Sequence, residues 1–374
     1  MSAHARLSAS GSARWINCPG SVRMEANTPD KTSPFAMEGT AAHELAELVL
    51  TGGGSCFDWV GRELIENNWH TVEHEMAGHV QTYVDYVKSF SGVHAYEQRV
   101  DFSDWVPEGF GTSDAIVIDG DTLRVIDLKY GKGLEVLAED NTQGLLYALG
   151  AYSEAELFHD IRRVVISIVQ PRRDNISEWE LNLDELLRWG ERISQAAELA
   201  LTADAPLVAG DKQCQFCKVR ATCPEQQRVA YDVIMTDFDS LDLCAVDKLS
   251  DSDLVKALGA KKLIAGWLDA VEQYATERLA KGDSFPGYKL VAGRSTRQWG
   301  DEDAASASLA PELGEDAFER KFVSVAKAEK LLGKKRLALL DGLVVKPDGR
   351  PTLAPASDPR PAIGACEDDF EKIE

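Results

Sequence analysis

The chain has 374 residues, 44% of them hydrophobic and 27% charged, which is the balance of a globular protein long enough for two or three domains and a real core. It has no run of apolar residues long enough for a membrane helix, and the start "MSAHARLSASGSARWINCPG" lacks the apolar stretch of a secretory signal; a cytoplasmic location is the default expectation. The net charge of −22, from 62 acids against 40 bases, argues against non-specific nucleic-acid binding, which needs Lys and Arg, while leaving room for a local basic groove.

In chain order, residues 1–35 read as irregular, with one cysteine in "WINCPGS". A helix is expected over about 39–51, ended by three glycines. "TVEHEMAGHVQTYVDYVKSF" has Met76, Val80, Tyr83, Val84 and Val87 at helical spacing. "HAYEQRVDF" reads as a strand, and "GTSDAIVIDGDTLRVIDLKYGKG" as a hairpin. A helix starting near Asp140 follows, then the strand "VVISIVQP", the alternating strand "ISEWELNL" and the helix "DELLRWGERISQAAELALT". This order predicts an α/β layered domain around a small mixed sheet, ending near residue 235. A mainly helical region over 236–345 and a Pro-rich, acidic, extended tail over 346–374 are expected beyond it.

The hairpin sets Asp114, Asp127 and Lys129 among apolar residues. A Gly120-Asp121 type II′ loop pairs Asp119 with Thr122, and hence Asp114 with Asp127; an Asp119-Gly120 type I′ loop pairs Asp114 with Val125. In both registers the two acids and Lys129 share one face, because side chains alternate with period two. Solvated surface charges would explain them. So would a site in which Lys129 or a divalent cation relieves two opposed carboxylates. Gln143 and Tyr147, four apart on the next helix, share a face, and His43 could serve as a neutral metal ligand.

Cys214-x2-Cys217-x5-Cys223 has metal-ligand spacing, with Cys18 the best candidate for a fourth ligand. A clasp between such distant residues restricts the unfolded chain, by ~4–5 kcal/mol for a loop of ~100 residues or more. Thiolates suit both zinc and iron, and unligated thiols are the bland alternative. Cys56, Cys244 and Cys366 read as ordinary residues.

Together, "GTAAHELAE", "GTSDAIVI", "VIDLKYGKG" and "QGLLYALGAY", in this order and at these spacings, resemble the RecB-type branch of the PD-(D/E)XK nuclease superfamily over roughly residues 10–230. One departure is Ser113, which stands where the family motif has Pro. The resemblance implies a restriction-endonuclease-like core and a Mg²⁺- or Mn²⁺-dependent deoxyribonuclease. Asp114 and Asp127 would hold the metal, with His43 and the Leu128 carbonyl as further ligands. Lys129 would orient or activate the attacking water, Gln143 and Tyr147 would position substrate or Lys129, and Glu97 matches an acid that binds a second metal in some relatives. The cysteines are similar to the iron–sulfur clasp of AddB-type helicase-nucleases and CRISPR-associated adaptation nucleases. This implies a structural 4Fe–4S cluster on Cys18, Cys214, Cys217 and Cys223, with zinc as the alternative.

No G-x-x-x-x-G-K-[ST] phosphate loop occurs, so the chain resembles a stand-alone phage- or prophage-type nuclease acting in the cytoplasm of a bacterial host. The resemblance implies an exonuclease in DNA recombination or end-processing that leaves 5′-phosphate ends. Its partners would be DNA, single-stranded or with ends, and a single-strand annealing or binding protein. A flap endonuclease on the same fold and a non-catalytic DNA-binding scaffold are the alternatives.

Overall fold

A computed structural model of the chain describes residues 5–29, 34–64, 70–236 and 251–284, together with Pro286 and Tyr288. The expected helix over 325–344, the tail from 346, most of the expected strand over 286–300, and Cys244 and Cys366 lie outside the described residues.

Two short helices, α1 (Ser12–Asn17) and α2 (Ser21–Glu25), open the chain, in a stretch expected to be irregular. They are too short to be stable alone. Their order comes from later chain: Gly20 N donates to Pro206 O at 2.8 Å, and Arg14 Nη1 to Phe216 O at 2.7 Å. Helix α3 (Pro34–Gly52) begins several residues before its expected start. A two-stranded ribbon, β1 (Glu63–Leu64) and β2 (His70–Thr71), had no alternating signal long enough to betray it. Helix α4 (His74–Lys88) buries all five expected apolar positions together with Ala77.

The main sheet has five strands: β3 (Val93–Asp101), β4 (Phe110–Asp119), β5 (Thr122–Leu128), β6 (Arg163–Gln170) and β7 (Asn175–Asn182). They pair in sequence order. All neighbours are antiparallel except β5 and β6, which run parallel because helix α5 (Thr142–Ala155) crosses between them. Asn141 caps α5 by accepting the Gly144 N–H at 2.9 Å. A reciprocal capping box between Asn182 and Glu185 starts α6 (Leu183–Ala200).

The sheet is covered on both faces. Ile116, Val125, Ile166 and Ile168 pack with α5 and α6, while Ala115, Val117, Ile126 and Leu128 pack with α3 and α4. Seven of the eight residues of β6 are therefore buried, which explains its mostly apolar run. The architecture is mixed α/β, a mostly antiparallel five-stranded sheet flanked by helices.

Beyond α6 come α7 (Asp211–Cys214), α8 (Pro224–Thr236) and the long α9 (Asp251–Ala280). Helix α9 packs on the cysteine-rich turn: Trp267 Nε1 donates to Ala221 O at 3.3 Å, and Arg220 crosses over Gly266 to reach Leu263 O. The first compact unit accordingly runs from Met1 to Leu290, and a second spans Val291–Glu374. Among the described residues no helix is long and apolar enough to cross a membrane.

Candidate metal centre and cysteine clasp

The β4–β5 turn selects one register. Asp119 pairs with Thr122, and Gly120 alone of the two loop residues has positive φ, +60°, as a type II′ turn requires. The backbone ladder runs as far as Ala115 opposite Ile126; one residue further in the same register, Asp114 stands opposite Asp127. There the Asp114 carboxylate takes the place of a backbone acceptor, with Leu128 N donating to its Oδ2 at 2.7 Å.

On the other side of β4, Tyr96 pairs with Ala115 and Gln98 with Ser113, which puts Glu97 opposite Asp114. Glu97 interrupts that ladder with φ +44°, a left-handed conformation that costs an ordinary residue ~1–3 kcal/mol and gathers at functional sites. Three carboxylates thus line up across three adjacent strands. His43 of α3 closes the row, its Nδ1 3.3 Å from Asp114 Oδ1. Among the described residues, His43, Glu97 and Asp114 are the group of His, Cys, Asp and Glu whose ligand atoms all lie within 4.8 Å of one another.

Asp127 is turned instead toward Lys129. Nζ donates to Oδ1 at 3.1 Å and lies 2.9 Å from the buried Oδ2, so the ammonium bridges the carboxylate. Lys129 also donates to Gln143 Oε1 at 2.9 Å, and Gln143 Nε2 donates to Tyr147 OH at 3.3 Å. The ammonium, a donor only, fixes which end of the amide faces it. Gly111 of β4 makes room for its ring.

The electrostatics follow from crowding acids out of water. Burial, then the Asp114 carboxylate, lift Glu97 to about 7. Burial, with Asp114 opposite, also raises Asp127 despite the lysine. Burial opposes charge on His43, but Asp114, Asp127 and Glu97 outweigh it and carry the imidazole to about 9. Burial likewise opposes charge on Lys129, and Asp127 and Asp114 override it, so the amine stays charged. For Asp114, burial is overridden by His43, Lys129 and the Leu128 N–H, and its carboxyl lies below the usual range. Ser113 is fully buried with no partner for its Oγ, so an apolar side chain would suit that slot.

Sequence reasoning missed a brace behind the site. Residues 130–141 link Lys129 to α5, and four side chains from the β6–β7 end hold their backbone. Gln170 Oε1 accepts the Val136 N–H at 2.7 Å, and its Nε2 donates to Leu134 O at 3.1 Å. Arg173 donates to Lys132 O and Gly133 O, Asn175 to Val136 O, and Ser177 Oγ accepts from Ala138 N. The available signal was a glutamine ending an otherwise apolar strand.

The four expected cysteines converge. Cys18, Cys214, Cys217 and Cys223 line one small cavity with Met24, Leu207 and Val219. Backbone N–H groups of Val208 and Gly210 donate to the sulfurs of Cys18 and Cys214, each at 3.3 Å. Burial raises the Cys18 thiol, and pushes Cys217 up to about 12. Around the cysteines the N-terminal segment is stitched to the later one: Glu25 Oε1 receives both Arg14 Nη1 at 2.6 Å and the Lys218 N–H at 2.7 Å. Cys56 is buried elsewhere, its N–H donating to Gln81 Oε1 at 2.8 Å.

Among solved structures, the chain is similar to one titled "Crystal structure of SSO0001", at 15% identity over 58% of this chain and 85% of that one, with a TM-score of 0.25. A family model described as "Protein of unknown function (DUF2800)" matches residues 4–361, and the chain belongs to that family.

Proposed function

We propose that the protein is a metal-dependent deoxyribonuclease. The observation that carries this reading is the row Glu97, Asp114 and Asp127 across three strands, closed by His43 at 3.3 Å from Asp114 and faced by a charged Lys129. The donor set of carboxylate oxygens with one imidazole suits Mg²⁺ or Mn²⁺. His43, Glu97 and Asp114 would hold the ion, with Asp127 and the Leu128 carbonyl as the further ligands that the resemblance implies. When bound, such an ion supplies a nucleophilic hydroxide and neutralises phosphate charge.

The chain's own residues do the rest. Lys129 keeps a fixed positive charge where negative charge develops on the phosphate. Gln143 holds that amine in place, and Tyr147 holds Gln143. Burial keeps the Tyr147 phenol well above its ordinary range, which makes it an orienting group rather than a proton carrier. The family resemblance implies an exonuclease that leaves 5′-phosphate ends.

For the cysteines, we infer a 4Fe–4S cluster. Four cysteines line one small cavity, and the N–H groups aimed at Cys18 and Cys214 suit cluster ligands, in keeping with the family resemblance. The test is anaerobic purification with iron and sulfide analysis, then digestion of end-labelled linear and closed circular DNA with Mg²⁺ or Mn²⁺. Cleavage of linear DNA only, lost in a folded Lys129→Ala variant, is expected. A folded Lys129→Ala protein that still cleaves would overturn the site, cleavage of circles would favour the endonuclease, and iron-free protein would remove the cluster.

A further inference from the structure

Strands β5 and β6 are parallel, with Leu128 paired to Val169, so the residues that follow each leave the sheet at the same end. Lys132 and Arg172 meet there, just past Lys129. There the two cations are paired with two acids, Glu38 and Glu75. Arg172 is only 12% exposed; it stacks over the Tyr130 ring, 4.8 Å from its centroid, and reaches Glu38 at 2.8 Å. Its Nε is buried and donates to nothing. Glu75 is 58% exposed and is approached by three groups: Lys132 at 3.0 Å, His79 at 3.7 Å and Arg172 at 3.8 Å. One exposed carboxylate shared in this way gives each partner little. A phosphate, with several oxygens in a small volume, matches a planar guanidinium and an ammonium better.

We propose that Lys132 and Arg172 form a second phosphate site that takes the phosphodiester adjacent to the one at Lys129, and that Glu38 and Glu75 occupy it in the free protein. The site rests on the nuclease reading. It places a local cationic contact on a body of net charge −22, and a strand crossing the end of β5 displaces the two acids, Glu38 of α3 and Glu75 in the first turn of α4, toward solvent.

The test is equilibrium binding of a labelled single-stranded oligonucleotide by fluorescence anisotropy, over a range of salt without added divalent metal. Lys132→Gln and Arg172→Gln should each reduce the slope of log K against log[salt] by about 0.7. Glu75→Gln should bind about two- to five-fold tighter, a change that a purely structural ion pair would not produce. Lys132 is exposed, so Lys132→Gln decides the matter if Arg172→Gln fails to fold. Unchanged slopes, or a Glu75→Gln protein that binds no tighter, overturn the proposal. Cleavage by the wild type with unchanged slopes removes this site alone; the slope changes without cleavage under Mg²⁺ or Mn²⁺ remove the nuclease reading alone. A wild type that neither binds nor cleaves removes both.

Discussion

Replacing Gly111 with alanine probes the site without touching a charged group. A Cβ at Gly111 would fall 2.7 Å from Tyr147 Cε1 and 3.4 Å from its hydroxyl. Carbon atoms settle at about 3.5–4.0 Å, so the ring must retreat by about 1 Å. Tyr147 is 7% exposed and enclosed by core side chains, and its hydroxyl already accepts the Gln143 amide at 3.3 Å. Retreat breaks that bond, frees the amide to turn, and removes the second tether of Lys129. Overpacking of this kind costs about 1–3 kcal/mol of stability, and a 1 Å error at a reacting group costs about 100-fold in rate. Urea unfolding gives the first number and cleavage of labelled DNA the second. In a Tyr147→Ala background the added methyl meets no ring, so Gly111→Ala should cost less than about 0.5 kcal/mol there. A single Gly111→Ala variant with wild-type unfolding midpoint and cleavage rate would refute the chain of contacts from Gly111 through Tyr147 and Gln143 to Lys129.

Gly20→Ala should damage the clasp more than Gly111→Ala damages the site, because its Cβ would meet backbone, Ala205 O at 2.7 Å and Pro206 O at 3.0 Å, rather than a movable ring. Iron content after anaerobic purification should fall below half that of the wild type; full retention would contradict the close approach. Gln170→Leu leaves Val136 N and Leu134 O, both part-buried, without these partners, a loss of at most about 2–6 kcal/mol at about 1–3 kcal/mol per fully buried group, read by thermal unfolding. A Gln170→Leu midpoint within a degree of wild type would show that water replaces the amide.

The sheet was legible in the sequence because its strands obey simple patterns. β6 is mostly apolar, broken only by Ser167 between its ends, since both its faces are covered, and Pro171 marks its end. The hairpin was legible to within one turn register, and either register put Asp114, Asp127 and Lys129 on one face. Gln143 and Tyr147 followed from helical spacing. Less could be read where order comes from distant chain. The helices α1 and α2 exist because Pro206, Phe216 and Lys218 bind them, and no local periodicity announces that. The left-handed backbone of Glu97, which turns its carboxylate toward Asp114, is set by the sheet rather than by neighbouring residues. The brace from Gln170, Arg173, Asn175 and Ser177 uses polar side chains on main-chain atoms, an arrangement with no sequence period.

The separation of Cys18 from Cys214 has a consequence during synthesis. The strands, α5 and α6 are all translated before Cys214, Cys217 and Cys223, so Trp15 can join the core under α5 and α6 while Cys18 still waits for the other three. At roughly 5–20 residues per second, that wait lasts roughly 10–40 s, during which the N-terminal segment is held by packing rather than by the clasp.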